Sequence, residues 1–447
     1  MMRAGLRRLR PSASSAASLC AGAGLGRPPV AAAGRLRPSR SALRCFSDSE
    51  PADRRRLWHW GGGGGFLADA DSEISKSPVL FEDTTGVTAA ACGATHSGFV
   101  ANGRLFTYGS NKYSQLGRAV SSGEVDNTPG PVSFGDEAAP VSSVSFGESH
   151  SAAITTDGAL WTWGWGGSFW GGVGALGQGG KDTVESPRKV QQFVDTEEAV
   201  KQVACGAAHT IALTEEGRVY STGKGEFGRL GHGGTHDEAT FKEIEYFYED
   251  QHDSILEPGK PPKLIKVGAG NNFSAVLSQA GELWVWGQND QGQLGLGEEA
   301  MGDMYSAERY PRLVRALPQI GQRVVDFECG EFHILVLTDD GTLYEWGRSL
   351  FLEAHAVPIP SQHADSLAKI VKLAAGEKFS LALTADGTLY SWGMKSSGCL
   401  AQGEECPKSV VEPTPLRAEV FGHQRIADVV ACRSRCLAIT VEDQFAA

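Results

Sequence analysis

The stretch FECGEFHILVLTDDGTLYEWG, Phe327–Gly347, carries the plan of this chain. An apolar run, Ile334–Leu337, meets an Asp340-Gly341 corner. A second run, Leu343–Trp346, follows and stops at Gly347. Asp-Gly accepts the positive φ that a tight turn between antiparallel strands requires, so the stretch reads as a β-hairpin. One hairpin is marginal in water. Its recurrence decides the fold.

The hairpin recurs with a first glycine at Gly93, Gly147, Gly206, Gly270, Gly330 and Gly376, often followed three residues on by a histidine. Each copy ends at a second glycine: Tyr108-Gly109, Trp163-Gly164, Thr222-Gly223, Trp286-Gly287, Trp346-Gly347 and Trp392-Gly393. First and second glycine stand 16 residues apart once and 17 apart five times. Two halves are left over. Leu57–Gly61 is a second half without a first, and Val429–Thr440 is a first half without a second. Joined, they make a seventh unit, and a ring closed by strands from both ends of the chain exposes no sheet edge at its seam. The reading is all-β: a seven-bladed β-propeller closed by N- and C-terminal strands in one blade. Connectors such as Pro187–Val190 and Pro311–Val314 would supply further strands of each blade.

Val203–Gly231, VACGAAHTIALTEEGRVYSTGKGEFGRLG, and Trp286–Gly297, WGQNDQGQLGLG, resemble the repeat of the regulator of chromosome condensation family. The resemblance covers residues 57–441 and implies a seven-bladed propeller. It also brings an activity into view. The founding member of that family exchanges guanine nucleotide on a small GTPase through a wedge loop on one propeller face.

Residues 1–46 differ in composition from the rest. They hold nine arginines and no Lys, Asp or Glu, as a mitochondrial transit peptide does, and Arg44-Cys45-Phe46-Ser47 fits matrix processing after Phe46. The expected organisation is a transit peptide over 1–46, a linker over 47–56, the propeller over 57–441 and a tail over 442–447. The chain has 41 basic and 53 acidic residues. Removing the nine leader arginines leaves 32 against 53, a net charge of −21. So acidic a body argues against general nucleic-acid binding. No run of about 18 apolar residues is present, so no membrane span is expected.

The repeated residues read as structural. Glycines permit close packing, and Trp60, Tyr108, Trp163, Trp286, Trp346 and Trp392 are expected to fill the gaps between blades. His96, His150, His209 and His333 could suggest a metal on the ring axis, but Phe273, Phe379 and Cys436 replace them in the other units. A position that Phe can occupy serves packing, so no metal is expected. No phosphate-cradling loop, nucleophile elbow or HExxH motif occurs, and the nine cysteines lack zinc-site spacing; no catalytic residue and no cofactor are expected.

Function on a repeat scaffold sits where the pattern fails. Trp163–Gly179 carries five extra residues with an added aromatic group, Trp165, Phe169 and Trp170. Gly233–Pro262 is the longest connector and mixes acids with Tyr246, Phe247 and Tyr248. These six are the candidate partner-binding residues. The connector Arg348–Leu373 lacks the Gly-Gln-Leu-Gly ending, so its blade should be the least regular. The expected function is a non-enzymatic mitochondrial scaffold that binds protein partners in the assembly or structure of the ribosome or a respiratory complex. The alternative is nucleotide exchange on a mitochondrial small or dynamin-like GTPase.

Overall fold

Each recurring hairpin gains one strand on either side. In the computed structural model the result is seven four-stranded antiparallel sheets. The structure describes residues 54–62, 75–82, 84–120, 124–168, 172–248, 254–297, 306–347, 351–357, 369–403 and 405–441. The leader, the tail and most of the linker lie outside them.

Blade 1 holds Val87–Cys92, His96–Ala101, Arg104–Ser110 and Val125–Pro131. Blade 2 holds Val141–Phe146, His150–Thr155, Leu160–Gly164 and Val184–Lys189. Blades 3 to 6 repeat the plan from Val200, Leu264, Val324 and Ile370. In blade 7 the chain ends meet: Arg425–Cys432 and Arg435–Val441 pair with Arg55–Gly61, which in turn pairs with Ser75–Leu80. The seam is a full ladder, Arg55 opposite Val441 through Gly61 opposite Arg435, as the two leftover half-units anticipate.

The first strands of the blades line a shared axial cavity, and the apolar core lies between blades. Trp163 packs among Val100, Leu105, Phe146 and Leu176 at the blade 1–2 boundary; Trp346 packs among Leu294, Phe327 and Ile334 at the blade 4–5 boundary. Four of the large rings also find a loop carbonyl. The indoles of Trp163, Trp286, Trp346 and Trp60 donate to the carbonyls of Gln115 (2.9 Å), Arg229 (2.8 Å), Gln293 (3.2 Å) and Cys399 (2.8 Å), all in the loop of the preceding blade. After three of these acceptors a glycine two residues on, Gly117, Gly231 or Gly295, makes room, and a Cβ on Gly117 would stand 2.6 Å from Trp163 Nε1; after Cys399 the position is Ala401. Blade 3 carries Thr222 instead of an aromatic, and Phe241 from its outer strand fills that space, 2 % exposed.

The spacing of glycine and histidine has a steric cause. The ring at the fourth position folds back over the glycine, so a Cβ on Gly206 would overlap the His209 ring, and one on Gly376 would overlap the Phe379 ring. In blade 7 Arg433 stands where the others have glycine, and the ring position is the small Cys436. No ring folds back over Arg433, and its backbone turns to a φ of +50°, which the equivalent glycines do not adopt. Gly376→Ala is therefore expected to cost about 1–3 kcal/mol by overpacking, whereas Arg433→Gly should cost far less; urea titration of both variants checks this.

The histidines act as straps between blades. His96 Nε2 lies 2.7 Å from Ser151 Oγ, His150 Nε2 3.1 Å from Thr210 Oγ1, His209 Nε2 3.0 Å from Ser274 Oγ and His333 Nε2 3.0 Å from Ser380 Oγ, each hydroxyl belonging to the next blade. Ser151, Thr210 and Ser274 donate onward to Gln115 O, Ala175 O and Arg229 O. Having spent its proton, such a hydroxyl accepts one from Nε2–H, so Nε2 is the protonated nitrogen of these rings. Where Phe replaces His, the facing residue is apolar as well: Phe273 is matched in the next blade by Ile334, and Phe379 by Leu437.

The blade without a Gly-Gln-Leu-Gly loop is more regular than its sequence suggests. Phe351–Val357 still pairs with Leu343–Gly347. The missing loop carbonyl is replaced by Glu345, 3 % exposed, whose carboxylate accepts the Trp392 indole at 2.8 Å and the Ser380 hydroxyl at 3.2 Å.

Candidate functional site

The Trp165 insert and the Tyr246–Tyr248 segment lie at opposite ends of the blades. Within a blade the strands alternate in direction. The turns after the first strand and the loops between third and fourth strands share one end, while the hairpin corners and the connectors between blades share the other. The insert belongs to the first end: Trp165 N donates to Ser149 O in the turn of the same blade at 2.8 Å. Tyr248 belongs to the second: its hydroxyl lies 3.3 Å from both Gly217 O and Val219 N at a hairpin corner. The structure does not bring the two candidate groups together.

The insert itself forms a small two-stranded hairpin, Gly167–Ser168 paired with Gly172–Val173. Phe169 and Trp170, which follow Ser168 in the sequence, lie outside the described residues. The base is glycine-rich for a reason: a Cβ on Gly174 would approach Gly166 C at 2.5 Å and Gly167 N at 2.7 Å across the ladder. The hairpin is tethered to blade 3. Asp237 accepts from Val173 N at 3.1 Å with one oxygen and from Gly225 N at 3.0 Å with the other. Trp165 is half-buried and packs edge-on against Tyr113 of blade 1, ring centroids 6.5 Å apart, while Lys224 Nζ lies 5.6 Å from its ring. Tyr113 is itself 37 % exposed, under Lys112 Nζ at 5.4 Å.

A third aromatic on this face is not singled out by sequence reading. Phe227 occupies the same loop position in blade 3 as Tyr113 in blade 1, two residues before the carbonyl that accepts the next blade's indole. It is half-buried, with the Arg229 guanidinium 5.7 Å from its ring, and its φ is +60°. Left-handed backbone costs a bulky L-residue about 1–2 kcal/mol. The available signal was its alignment with Tyr113 in the repeat.

On the opposite end the connector is not one loop. Glu238–Glu243 is the outer strand of blade 3, and a short 3-10 turn, Glu245–Phe247, follows. Phe247 departs from the expectation of a partner contact: it is fully buried against Trp284 and Trp286, with ring centroids 5.9 Å and 6.3 Å apart. Tyr246 packs on Tyr310, and Tyr248 stays 37 % exposed. Glu282 pins the connector from below, accepting from Ser254 Oγ at 2.7 Å, Ile255 N at 2.6 Å and Leu256 N at 2.7 Å.

The axial cavity, about 210 Å³, is lined by charged and thiol groups. Its ions pair with one another. Lys266 Nζ lies 2.6 Å from Asp326 and 3.5 Å from Glu328, and Arg433 reaches Glu331 at 3.1 Å and Glu148 at 3.5 Å. Burial pushes the Cys92 thiol up to about 11 and that of Cys205 to about 12, so both are protonated and poorly nucleophilic at neutral pH. Among the described residues no group of three or more His, Cys, Asp or Glu is placed to hold a metal ion, and no helix is long and apolar enough to cross a membrane.

A family model, the RCC1-like domain, matches residues 56–439. The chain belongs to the RCC1-like domain family. It is 33% identical over 245 residues to the human E3 ubiquitin-protein ligase HERC2, covering 53% of this chain and 5% of that much longer protein. The Arabidopsis thaliana RCC1 domain-containing protein RUG3, mitochondrial, is 28% identical over 328 residues, 67% of either chain. Among solved structures, Prp20p from Saccharomyces cerevisiae superimposes with a TM-score of 0.71 at 22% identity, over 89% of this chain and 93% of Prp20p. RCC1-like propellers bind other proteins and are generally regulators or exchange factors more than catalysts.

Proposed function

We propose that this RCC1-like propeller is a non-enzymatic mitochondrial scaffold, which holds protein partners during the assembly or in the structure of a ribosomal or respiratory complex. The observation that carries the reading is the hairpin Gly167–Val173, an addition to the repeat that is tied down by Asp237 and flanked by half-buried Trp165 and exposed Tyr113. Preorganised aromatics surrounded by neutral contacts are what protein interfaces use as anchors. Phe169 and Trp170 belong to the proposed anchor set by sequence, and Tyr246 and Tyr248 form a second, weaker candidate on the other end. Phe247 is withdrawn from it, because its ring is spent on the core.

The mitochondrial part rests on the acid-free leader with nine arginines and on the likeness to RUG3. Matrix or the matrix side of the inner membrane is the location such a leader serves. A second reading is guanine-nucleotide exchange on a mitochondrial GTPase. It is favoured by the two-stranded form of the insert, since a projecting wedge loop is what the family resemblance attaches to exchange.

The test is affinity capture from mitochondria with wild-type chain and the triple variant Trp165→Ala, Phe169→Ala, Trp170→Ala. The expected result is loss of most captured ribosomal or respiratory subunits with the melting temperature unchanged. Capture of one GTPase, released by added GTP, would replace the scaffold reading with the exchange reading. Undiminished capture by the folded variant would remove the hairpin as the site.

A further inference from the structure

We infer that the segment held on the hairpin face is an extended, acidic stretch of a partner protein, laid across blades 1, 2 and 3. This rests on the reading of that face as the partner surface. Tyr113, Trp165 and Phe227 come from three consecutive blades and form a row, Tyr113 and Phe227 at matching loop positions and Trp165 in contact with Tyr113. A cation stands by each ring: Lys112 at 5.4 Å, Lys224 at 5.6 Å and Arg229 at 5.7 Å.

Two of the three charges of this row, Lys112 and Lys224, are not neutralised from within. Arg229 is committed, bonded to Glu226 O at 2.8 Å and Glu226 Oε2 at 3.3 Å, and it supports the Phe227 ring. Among the described residues neither Lys112 nor Lys224 has a carboxylate within ion-pair distance. Asp237, which shares this region, has one oxygen on Gly225 N and the other on Val173 N. Two uncommitted ammonium groups over aromatic faces are a local exception on a chain of net charge −12. They select an anionic partner. Flat rings in a row across loops, without a deep pocket, suit an extended backbone with acidic side chains more than a folded domain or a small ligand. Phe227 adds an independent mark. Its strained backbone is retained where Asn or Gly would relieve it, which is expected of a residue held for contact.

The experiment uses the full chain with two labelled probes, an oligoglutamate peptide and an oligothymidylate of matched charge, followed by fluorescence anisotropy at low and physiological salt. Oligoglutamate should bind, weaken with salt, and lose about tenfold in affinity in the double variant Lys112→Glu, Lys224→Glu. Phe227→Asn should weaken binding while the melting temperature stays level or rises, a combination a purely structural role would not give. Peptide binding that is absent, or unchanged in the double variant, overturns the inference; tighter binding of oligothymidylate assigns the row to nucleic acid instead. The two readings separate in the mitochondrial capture. Partners lost with Trp165→Ala, Phe169→Ala, Trp170→Ala but kept with Lys112→Glu, Lys224→Glu would leave the face standing and remove the acidic segment.

Discussion

Glu345→Ala should destabilise the propeller by about 2–4 kcal/mol, the cost of leaving two buried donors without their acceptor. The carboxylate is 3 % exposed and accepts the Trp392 indole and the Ser380 hydroxyl, joining blades 5 and 6. Elsewhere the indole reaches a loop carbonyl, as Trp163 does at Gln115. In blade 5 three residues, 348–350, join the third and fourth strands, and among the described residues the Glu345 side chain is the acceptor. Truncation therefore leaves Nε1 of Trp392 unsatisfied, lengthens the path from His333 to any acceptor, and opens a cavity beside a fully buried strand. Glu345→Gln keeps an acceptor oxygen of the same reach and should lose much less. Denaturant unfolding of the two variants gives the expected order: Ala at 345 far below Gln at 345. Equal losses for Ala and Gln at 345 would show that the carboxylate is not the acceptor that matters.

Acid should weaken the propeller through its histidine straps. Burial lowers the His150 pKa from 6.5 to about 4, and His96 and His209 are pushed well below 6.5 by the same cause. A depressed folded-state value means that the unfolded chain takes up the proton more readily. The stabilisation is complete above pH 6.5 and is lost as pH falls towards about 4, by about 3 kcal/mol for His150 alone. The chain itself suggests the control. Phe273 with Ile334 is the apolar version of the strap, so His209→Phe with Ser274→Ile should remove one share of the loss; Arg229 O keeps the Trp286 indole at 2.8 Å, and Gly206 leaves room for the ring as Gly270 does for Phe273. Urea midpoints between pH 7 and pH 4.5 should fall less steeply in the double variant. An unchanged slope would mean that His209 carries no strap in solution.

The fold was legible because two short-range rules repeat. The glycine-to-glycine spacing of 16 or 17 residues fixes hairpin length, and two unmatched halves at 57–61 and 429–440 demand a shared blade. The His-to-hydroxyl strap was also present in the sequence, at the residue after each histidine position in the next repeat: Ser151, Thr210, Ser274 and Ser380 against Ile334 and Leu437. It went unread because it links residues about fifty to sixty apart, and only the packed ring shows that adjacent second strands face one another. The site was less legible. Trp165 marks itself by insertion, but Phe247 looked like an exposed aromatic among acids and is buried, because the turn Glu245–Phe247 delivers it onto Trp284. Phe227 looked like an ordinary loop residue. Neither burial nor backbone strain can be read from composition.

The central claim is that partners meet the end of the propeller that carries the Gly167–Val173 hairpin. Lysines label both ends: Lys112 and Lys224 lie beside the hairpin, and Lys263 and Lys369 lie at the hairpin-corner end, just before the first strands of blades 4 and 6. Crosslinking mass spectrometry of intact mitochondria reads them separately. Crosslinks from Lys112 and Lys224 to ribosomal or respiratory subunits, with Lys263 and Lys369 linked only within the chain, are the expected result. Partner crosslinks confined to Lys263 and Lys369 would contradict it.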